Sequence, residues 1–408
     1  MYIHHSINNC PITNSDTVVK YFDLGVQPLA NNLSDTREES LSAERFPLSL
    51  NYYPESKLTS LDFSVDSRLL FSHYYYKSGT HNLYAEHCKT IFQDIQEYIP
   101  VVDGTQFIDV GGNDGTLLLT FKSLTDKGID VLNVDPSKNL TELSEQRGIP
   151  ALNDFFDVDL LSDYINSVDV VTSTNVFQHL KDINSFVNTV ASVLSDDGIW
   201  VLEFPYWLSG METNQFDQIY HEHVYYYFVT PLSILFNKHN LRIIKVSKQD
   251  IHGGSLRLII SKINSIHNIH PSVNEYLSTE SALSTSFYET WGEKVSSHIK
   301  RSKELLLQLK ADGKTIYGFG AAAKGCVYLN AMELDYNTID VVVDDTDIKQ
   351  GKYIPGTGIQ IHNRSILTTN PPDYILILPH NFSDYIVKNL SEIYKGQFIV
   401  LLPKIEVI

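Results

Sequence analysis

The stretch of sequence that decides the fold runs from residue 107 to residue 118 and reads Phe-Ile-Asp-Val-Gly-Gly-Asn-Asp-Gly-Thr-Leu-Leu. Its apolar start predicts a buried strand, and the apolar run that begins at Thr116 predicts a helix. Glycine is required between the two, because the backbone must turn sharply and let a ligand approach closely. A strand, a glycine-rich turn and a helix in this order predict the first unit of a doubly wound α/β sheet.

The glycine-rich turn is also a candidate cofactor site. Asp135 ends the next apolar strand, twenty residues after Gly115, where a carboxylate can accept both hydroxyls of a ribose. This spacing favours S-adenosyl-L-methionine as the cofactor, although Asn113 stands where the commoner pattern has glycine. An NAD site and a purely structural turn remain the alternatives. The candidate cofactor-binding residues are Asp109, Gly111, Gly112, Asn113, Gly115, Asp135 and Asn175.

The rest of the chain predicts three lobes and a connector. The N-terminal part holds short alternating apolar runs and turn-forming prolines, which are typical of a small strand-rich lobe. Strands and helices then alternate, and they alternate again after a polar helical stretch, which predicts two α/β units with mainly parallel sheets. The predicted parts are a small substrate-binding lobe at 1–70, a cofactor domain at 71–272, a helical connector at 273–311 and a smaller Rossmann-like domain at 312–408.

Composition and charge limit the possible partners. The hydrophobic fraction of 43% and the charged fraction of 20% are those of a soluble globular protein, and no apolar run approaches the roughly 20 residues that span a bilayer. A net charge of −18 argues against nonspecific binding to nucleic acid or to an anionic membrane. Three separate cysteines and an N-terminus without a signal-peptide pattern predict a cytoplasmic protein.

The four residues Tyr220-His221-Glu222-His223 are side chains that can move or hold a proton. In an extended segment Tyr220 and Glu222 would share one face, and in a helix Tyr220 and His223 would. In either conformation a histidine lies within reach of a tyrosine or a carboxylate, which suits general-base catalysis at neutral pH. A metal site and an ordinary helix face remain the alternatives, and the H-x-H spacing without a distant third ligand disfavours the metal.

A second glycine-rich turn reads Gly318-x-Gly320-x-x-Ala323 and precedes Lys324. Asp344 follows the next apolar strand, about twenty residues later, so that the stretch matches a dinucleotide fingerprint. Lys324 would stand in the first helical turn, where a cation faces a phosphate together with the helix N-terminus. The sequence thus predicts a phosphate-bearing nucleotide ligand, without deciding between a dinucleotide and a nucleotide sugar, and a purely structural turn is the alternative.

Further candidate residues lie at strand ends and turns. Asn175 and His179 follow the predicted strand at 168–172, at the carboxyl end where doubly wound folds bind ligands; an ordinary helix residue is the alternative for His179. Residues 252–257 combine glycines with a hydroxyl and a guanidinium, which suits a diphosphate, and a hairpin turn is the alternative. The candidate substrate-binding residues are Tyr74, Ser78, His252, Gly253, Gly254, Ser255, Arg257 and Lys324.

Together these motifs resemble the bacterial sugar C-methyltransferases that act on nucleotide-linked 4-keto deoxysugars. The resemblance runs nearly from end to end, and the motifs occur in the same order at similar spacing. They are Asp23-Leu-Gly-Val-Gln-Pro-Leu-Ala-Asn31, Tyr74-x-Tyr76-x-Ser78, residues 109–118, Asn175-Val-Phe-x-His179, Glu203-x-Pro-Tyr206, Tyr220-His-Glu-His223, His252-Gly-Gly-Ser-x-Arg257, Gly318-x-Gly-Ala-Ala-Ala-Lys-Gly325 and residues 344–352.

The resemblance implies a reaction and a set of roles. His223 acts as the base that removes the proton next to the sugar ketone, and Glu222 orients that histidine. The enolate carbon then takes the methyl group of S-adenosyl-L-methionine, while Tyr220, Tyr76 and His179 stabilise the enolate or position the sugar. The second glycine-rich turn would hold the nucleotide-diphosphate sugar and not NAD. The chain is expected to be a monomer or a homodimer.

Two other functions compete with this reading. One is O- or N-methylation of a nucleotide sugar, which needs no carbon acid and no enolate stabiliser. The other is an NAD-dependent oxidoreductase with two Rossmann domains, which would bind nicotinamide at the second glycine-rich turn.

Two departures from the resemblance concern a metal and an aromatic residue. The resembling proteins carry a structural zinc on two C-x-x-C pairs, which here fall on Cys10 with Thr13 and on Tyr53 with Ser56. One thiolate of four cannot make such a site, so we predict no metal, with apolar packing in its place. His380 stands where similar sequences commonly have tryptophan, and we expect this difference to alter how the sugar or the nucleotide base is bound.

Overall fold

The computed structural model of the chain describes residues 4–70, 82–251 and 253–408. Within those ranges three larger β-sheets and their helices form an α/β protein, which confirms the predicted fold class. No helix among these residues combines the length and the apolar character needed to cross a membrane.

The N-terminal lobe is antiparallel. Its elements are β1 (His5–Ser6), β2 (Val19–Pro28), α1 (Arg37–Leu41), β3 (Arg45–Tyr53), β4 (Leu58–Leu61), β5 (Phe63–Ser64) and α2 (Ser67–Leu70). Strands β2, β3 and β4 form one sheet, and β1 pairs separately with β5. A strand from much later in the chain, β11 (Tyr225–Tyr226), completes the sheet by pairing with β4. The segment just before β11 is therefore held between the lobe and the rest of the molecule.

The central domain contains a seven-stranded sheet. Its strands are β6 (Gln106–Val110), β7 (Asp130–Val134), β8 (Ala151–Leu152), β9 (Val168–Thr174), β10 (Leu194–Pro205), β12 (Leu241–Gln249) and β13 (Ser255–Lys262). Their order is β12-β13-β10-β9-β6-β7-β8, with β6 to β10 parallel and β13 antiparallel to β10. The order reverses between β6 and β9, and the crevice beyond such a reversal is where doubly wound sheets bind ligands.

Helices cover the central sheet on both faces, which is why its parallel strands are nearly continuous apolar runs. In α4, for example, Leu117, Leu118 and Phe121 are buried. The helices of this part are α3 (Asn82–Gln96), α4 (Thr116–Ser123), α5 (Lys138–Gln146), α6 (Ile183–Val193), α7 (Trp207–Glu212), α8 (Val229–Lys238) and α9 (Ser272–Ser281).

The C-terminal domain repeats this plan on a smaller scale. Its elements are β14 (Ile316–Phe319), α11 (Ala323–Ala331), β15 (Val341–Val343), β16 (Ile361–His362), α12 (Ile366–Thr369), β17 (Tyr374–Ile377), α13 (Ser383–Leu390), β18 (Gln397–Val400) and β19 (Glu406–Val407). The strand order is β16-β15-β14-β17-β18-β19, and β19 alone is antiparallel to its neighbour. Here the order reverses between β14 and β17.

A long helix, α10 (Thr285–Ala311), ties the lobes together. The Trp291 indole donates to the Met211 carbonyl of α7 at 2.9 Å. A Cβ on Gly292 would stand 2.1 Å from the Tyr21 carbonyl, so glycine lets the helix lie directly on the backbone of β2. One buried apolar cluster contains residues of all three lobes, and the lobes therefore share a core.

Candidate active site

A pocket lies at the reversal point of the central sheet, beyond the ends of β6 and β9. Its volume is about 480 Å³, which is typical of small-molecule sites. His179 lines it together with four of the predicted cofactor-binding residues. Those four are Gly111, Asn113, Asp135 and Asn175.

The turn after β6 is held in shape by the chain itself. Gly111, Asn113 and Gly115 adopt φ angles of 65°, 55° and 74°, a region that glycine and asparagine tolerate best; this explains the asparagine in the pattern. The Asp135 carboxylate accepts the N–H of Asn113 at 3.0 Å and that of Ser137 at 2.8 Å. It joins the ends of β6 and β7 at the pocket, where a carboxylate can also accept ribose hydroxyls.

Asp109 and Gly112 lie behind this turn and not in the pocket lining. A Cβ on Gly112 would stand 2.6 Å from an Asp109 carboxylate oxygen and 2.4 Å from Asn133 Oδ1, so packing within the chain requires this glycine. Asp109 accepts the Thr172 hydroxyl at 2.7 Å, and burial raises its pKa to about 7. Both residues support the turn from beneath, and their direct contact with a cofactor stays a prediction.

Aromatic residues that sequence reasoning missed form one wall of the pocket. Phe155 and Phe156 follow β8 and line the pocket together with Asp157. Phe155 is 65% exposed, which is unusual for a large apolar side chain, and its open ring face can stack on an adenine. The signal in the sequence was their position directly after a strand of the parallel series.

The four residues Tyr220-His221-Glu222-His223 lie in a turn between the short 3-10 helix Phe216–Gln218 and β11. The Tyr220 hydroxyl lies 2.7 Å from His223 Nε2, and His223 Nδ1 donates to the Gln218 carbonyl at 3.0 Å. Because a carbonyl can only accept, Nδ1 carries the ring proton. The basic nitrogen is therefore Nε2, and it accepts the tyrosine hydroxyl.

His179 connects this pair with the pocket. Its ring centroid lies 4.9 Å from that of His223. Its Nδ1 donates to the Glu222 carbonyl at 2.8 Å, which leaves Nε2 as an acceptor. Burial lowers the pKa of His179 to about 4, so this histidine is neutral at pH 7. A proton acceptor and a ligand pocket thus share one region of the molecule.

Comparison with known proteins identifies the family. Two family models match consecutive parts of the chain, a methyltransferase domain at 81–246 and a C-methyltransferase C-terminal domain at 250–403. The C-methyltransferase NovU of Streptomyces niveus is 30% identical over 413 residues, which cover 98% of this chain and 97% of that protein. The chain belongs to the S-adenosyl-L-methionine-dependent C-methyltransferases. The predicted cofactor, S-adenosyl-L-methionine, is thereby confirmed, and its binding at the first glycine-rich turn stays a prediction.

Two solved structures each overlap with less than half of this C-methyltransferase. The PH0226 protein of Pyrococcus horikoshii OT3 is 13% identical, with a TM-score of 0.37, and the alignment covers 46% of this chain and 94% of that one. Magnesium protoporphyrin IX methyltransferase of Synechocystis PCC 6803, solved with bound S-adenosylmethionine, is 14% identical, with a TM-score of 0.34 and coverages of 46% and 87%.

Glu222 does not orient His223 in this C-methyltransferase. Both of its carboxylate oxygens accept the side-chain amide of Asn31, at 2.8 and 2.9 Å. The predicted role of Glu222 toward the base was wrong, because the turn directs its carboxylate to the N-terminal lobe. His221 points the same way, with Nε2 3.2 Å from a carbonyl of β3. These two side chains join the turn that carries Tyr220 and His223 to the N-terminal lobe.

Arg257 belongs to a buried charge network and not to a ligand site. Its guanidinium donates to Glu203 at 3.0 Å, to Asp94 at 2.5 Å and to the Thr90 hydroxyl at 2.9 Å. His87 contacts the other Glu203 oxygen at 2.7 Å. The predicted binding of a diphosphate by Arg257 was wrong, since its donors are taken by carboxylates that would repel an anion.

Gly253 and Gly254 lie in the turn of a hairpin between β12 and β13, and Ser255 is the first residue of β13. The Gly253 carbonyl accepts the Gln215 amide at 3.0 Å, and the Ser255 hydroxyl donates to the Ile251 carbonyl at 3.3 Å. The hairpin alternative is therefore right for Gly253, Gly254 and Ser255, and a contact of theirs with substrate stays a prediction. Four further candidates, Tyr74, Tyr76, Ser78 and His252, lie outside the described residues.

The second glycine-rich turn is supported in the same way as the first. The Asp344 carboxylate accepts the N–H of Ala321 at 2.7 Å and that of Thr346 at 2.8 Å, as Asp135 does in the first turn. Lys324 stands in the first turn of α11, where the sequence predicted it. The two α/β domains therefore present equivalent turns at their reversal points.

The positions that correspond to zinc ligands in the resembling proteins lie in the N-terminal lobe. Cys10 Sγ lies 3.0 Å from Ser56 Oγ, and Tyr53 is fully buried beside them. Within the described part of the chain, no group of three or more His, Cys, Asp or Glu side chains is placed to hold a metal ion. The absence of a structural metal stays a prediction.

We expect the Glu222→Gln variant to be more stable than the wild type above pH 7. Burial raises the pKa of Glu222 to about 7, from 4.5. The folded state therefore holds the proton more tightly, so the wild-type free energy of unfolding falls as the pH rises from about 4.5 to about 7 and is level above that. The free energy of unfolding of the variant does not undergo this decrease of about 3 kcal/mol. The amide oxygen of the glutamine can still accept a hydrogen bond from Asn31.

Thermal unfolding between pH 5 and pH 8 measures the difference. The Glu145→Gln variant changes an exposed glutamate and serves as the control, which should follow the wild-type curve. A stability difference for Glu222→Gln that stays constant across this range would contradict the titration of Glu222.

Proposed function

We propose that this C-methyltransferase methylates a carbon next to the ketone of a nucleotide-diphosphate-linked 4-keto deoxysugar through an enolate. The observation that carries the proposal is the Tyr220–His223 pair, with 2.7 Å between the hydroxyl and Nε2, beside a histidine that lines the cofactor pocket. Methylation of carbon requires removal of a C–H proton. A positioned base with an acid beside it meets this requirement.

The proton moves from the sugar carbon to His223 Nε2, after the substrate has displaced the Tyr220 hydroxyl from that nitrogen. The Gln218 carbonyl, which accepts from Nδ1 at 3.0 Å, stabilises the imidazolium that forms. The released electron pair moves onto the ketone oxygen, to which the Tyr220 hydroxyl can donate. Bound S-adenosyl-L-methionine supplies the electrophilic methyl group that the enolate carbon attacks.

His179 is a poor proton acceptor at pH 7. With a pKa of about 4 it has little driving force to take up a proton at pH 7, which favours His223 for that role. Its ring lies between the pair and the pocket and can position the sugar against the methyl donor. Its anchoring bond to the Glu222 carbonyl at 2.8 Å holds it in that place.

The nucleotide-linked substrate class rests on the C-terminal domain. This domain begins with a strand, a glycine-rich turn and α11, an arrangement that binds phosphate groups at the helix N-terminus. It also matches the model of a C-methyltransferase C-terminal domain. The first α/β domain already holds the methyl donor, so a second domain of this design suits a nucleotide-linked substrate.

A substrate deuterated at the carbon next to the ketone tests the reaction. We expect the methylated product to have lost the deuterium, because the C–D bond must break before carbon can be methylated. With S-adenosyl-L-homocysteine in place of the methyl donor, the wild type should exchange the label with solvent without forming product. O- or N-methylation leaves the carbon untouched, so a methylated product that retains the deuterium would overturn the proposal.

A further inference from the structure

Tyr84 is the residue of α3 that reaches the cofactor pocket. It lines the pocket together with Thr174, the last residue of β9, and its hydroxyl lies 3.1 Å from Thr174 Oγ1. Burial raises the pKa of Tyr84 well above its usual value, so the hydroxyl is uncharged at pH 7. A hydroxyl both donates and accepts. The contact with Thr174 therefore leaves Tyr84 a hydrogen bond for a ligand.

The order of the strands indicates which part of the cofactor would lie beside Tyr84. The strands at the pocket follow one another as β9, β6, β7 and β8, with neighbours about 4.8 Å apart. Asp135 follows β7 and suits the ribose, and Phe155 follows β8 and suits the adenine. An elongated cofactor that lies in this direction has its amino-acid end at β6 and β9, where Tyr84 stands.

The backbone of Glu203 holds the end of β9. Glu203 pairs with Thr174 across β9 and β10, and its carbonyl accepts the N–H of Asn175 at 2.8 Å. Asn175 lines the pocket and adopts a φ angle of 56°, a conformation that few residues favour. Glu203 thus fixes one of the two residues that meet in the contact between Tyr84 and Thr174.

The side chain of Glu203 holds α3, which carries the other residue of that contact. Its carboxylate oxygens lie 2.7 Å from His87 Nε2 and 3.0 Å from Arg257 Nε. Arg257 in turn donates to Thr90 at 2.9 Å and to Asp94 at 2.5 Å, and both of these residues belong to α3 as well. We call these five residues the Arg257 network.

The Arg257 network fixes α3 against the central sheet. The side chain of Arg257 is 1% exposed and that of Glu203 is 0% exposed, and loss of a partner from such a buried pair is costly. Helix α3 can therefore neither slide nor rotate on the sheet without breaking these contacts. His87 follows Tyr84 by three positions, so the two side chains lie on the same face of the helix. The network thereby sets the place of the Tyr84 hydroxyl.

We propose that the Tyr84 hydroxyl binds the amino-acid end of S-adenosyl-L-methionine, and that the Arg257 network positions Tyr84 for this contact. The inference rests on the proposed placement of the cofactor in this pocket, and it does not depend on the nature of the methyl acceptor. The amino-acid end carries a carboxylate and an ammonium, and a hydroxyl can bind either of them. Arg257 and Glu203 would then serve methyl transfer although neither lines the pocket.

Two ligands that differ in their amino-acid part test the contact. S-adenosyl-L-homocysteine contains that part, and 5′-methylthioadenosine has a methyl group in its place. We expect Tyr84→Phe to raise the Kd of S-adenosyl-L-homocysteine about tenfold, because a hydrogen bond to a charged group is lost. The Kd of 5′-methylthioadenosine should not change. Calorimetric titration measures the first Kd, and displacement of S-adenosyl-L-homocysteine measures the second.

Substitutions of His87 test the positioning role. His87→Ala removes the contact with Glu203 and should raise the Kd of S-adenosyl-L-homocysteine about fivefold. His87→Gln keeps an N–H donor for Glu203 and should restore most of the affinity. Combined with Tyr84→Phe, His87→Ala should cause no further loss, because the contact that it positions is already absent. A merely structural role would give equal losses with and without the tyrosine hydroxyl.

The matched control on the same helix is Lys89→Ala. The Lys89 ammonium contacts Glu86 at 2.6 Å near the surface, and the variant should bind both ligands as the wild type does. Cooperative thermal unfolding of each variant shows that it is folded.

The outcomes separate this inference from the placement of the cofactor. If Asp135→Ala weakens both ligands and Tyr84→Phe weakens neither, the cofactor lies in this pocket and the inference is wrong. Equal weakening of both ligands by Tyr84→Phe would also overturn it, since Tyr84 would then not act on the amino-acid end. If neither variant changes either Kd, the placement of the cofactor fails together with the inference. Equal losses for His87→Ala in both backgrounds would remove the positioning role of the network.

Discussion

Replacing His223 with asparagine is expected to lower the kcat of methyl transfer by about 10³-fold, within the range for loss of a general base. The asparagine amide can still donate to the Gln218 carbonyl, so the turn keeps that hydrogen bond. It cannot take up a proton in place of Nε2, the nitrogen that the Tyr220 hydroxyl contacts at 2.7 Å. The affinity for S-adenosyl-L-homocysteine should not change, because His223 is not among the pocket-lining residues.

Single-turnover rates and deuterium exchange at the sugar carbon measure this loss. The companion Tyr220→Phe removes the donor to the enolate but keeps the base, so exchange should persist while methylation slows. The control is His267→Asn, which removes a histidine that contacts the Asp197 carbonyl at 2.7 Å, and it should react at the wild-type rate. Near-full rate and exchange in His223→Asn would remove His223 from the role of base, and loss of exchange in Tyr220→Phe alone would give that role to Tyr220.

Replacing Asp135 with alanine is expected to raise the Kd for S-adenosyl-L-homocysteine about 100-fold, since two charge-assisted hydrogen bonds to a ribose contribute about 1.5 kcal/mol each. The substitution also releases the N–H of Asn113 and that of Ser137, which the carboxylate holds at 3.0 and 2.8 Å. The turn that lines the pocket would then lose its link to β7. Calorimetric titration of the purified variant measures the change.

The chain offers a matched control in Asp344→Ala. Asp344 accepts two backbone N–H groups of the second turn, at 2.7 and 2.8 Å, and so loses the same internal bonds when it is replaced. Because it belongs to the other α/β domain, the variant should bind S-adenosyl-L-homocysteine as the wild type does. A threefold or smaller change in Asp135→Ala, or an equal loss in both variants, would show that Asp135 does not contact the cofactor.

Features that depend on neighbouring residues could be predicted from the sequence. The buried strand predicted before the first glycine-rich turn is β6, and the apolar strand predicted before Asp135 is β7, because strands covered on both faces must be continuous apolar runs. The positive φ angles of the first turn follow from its glycines and from Asn113. The acidic residue after the next strand follows from the same local pattern.

Features that depend on residues far apart in the chain could not be predicted from the sequence. The residues next to Arg257 predict that it binds a phosphate, but its partner Asp94 lies 163 residues away in the chain, on α3. Glu222 reads as a partner of its neighbour His223, but Asn31 stands 191 residues away in the N-terminal lobe. A side chain that can bind several partners takes the one that the packing of the lobes places beside it, and spacing along the chain carries no record of that choice.

The sequence by itself determined the α/β class, the first glycine-rich turn, the order of the motifs and through them the family, because hydrophobic periodicity and turn chemistry act between residues a few positions apart. Tertiary structure alone decided which side chains of the 217–223 segment face one another. It paired Tyr220 with His223, turned Glu222 toward the N-terminal lobe and set Asp217 against His380. The physical reason is that three lobes close on this one segment, so burial and hydrogen-bond partners there are set by residues far away in the chain.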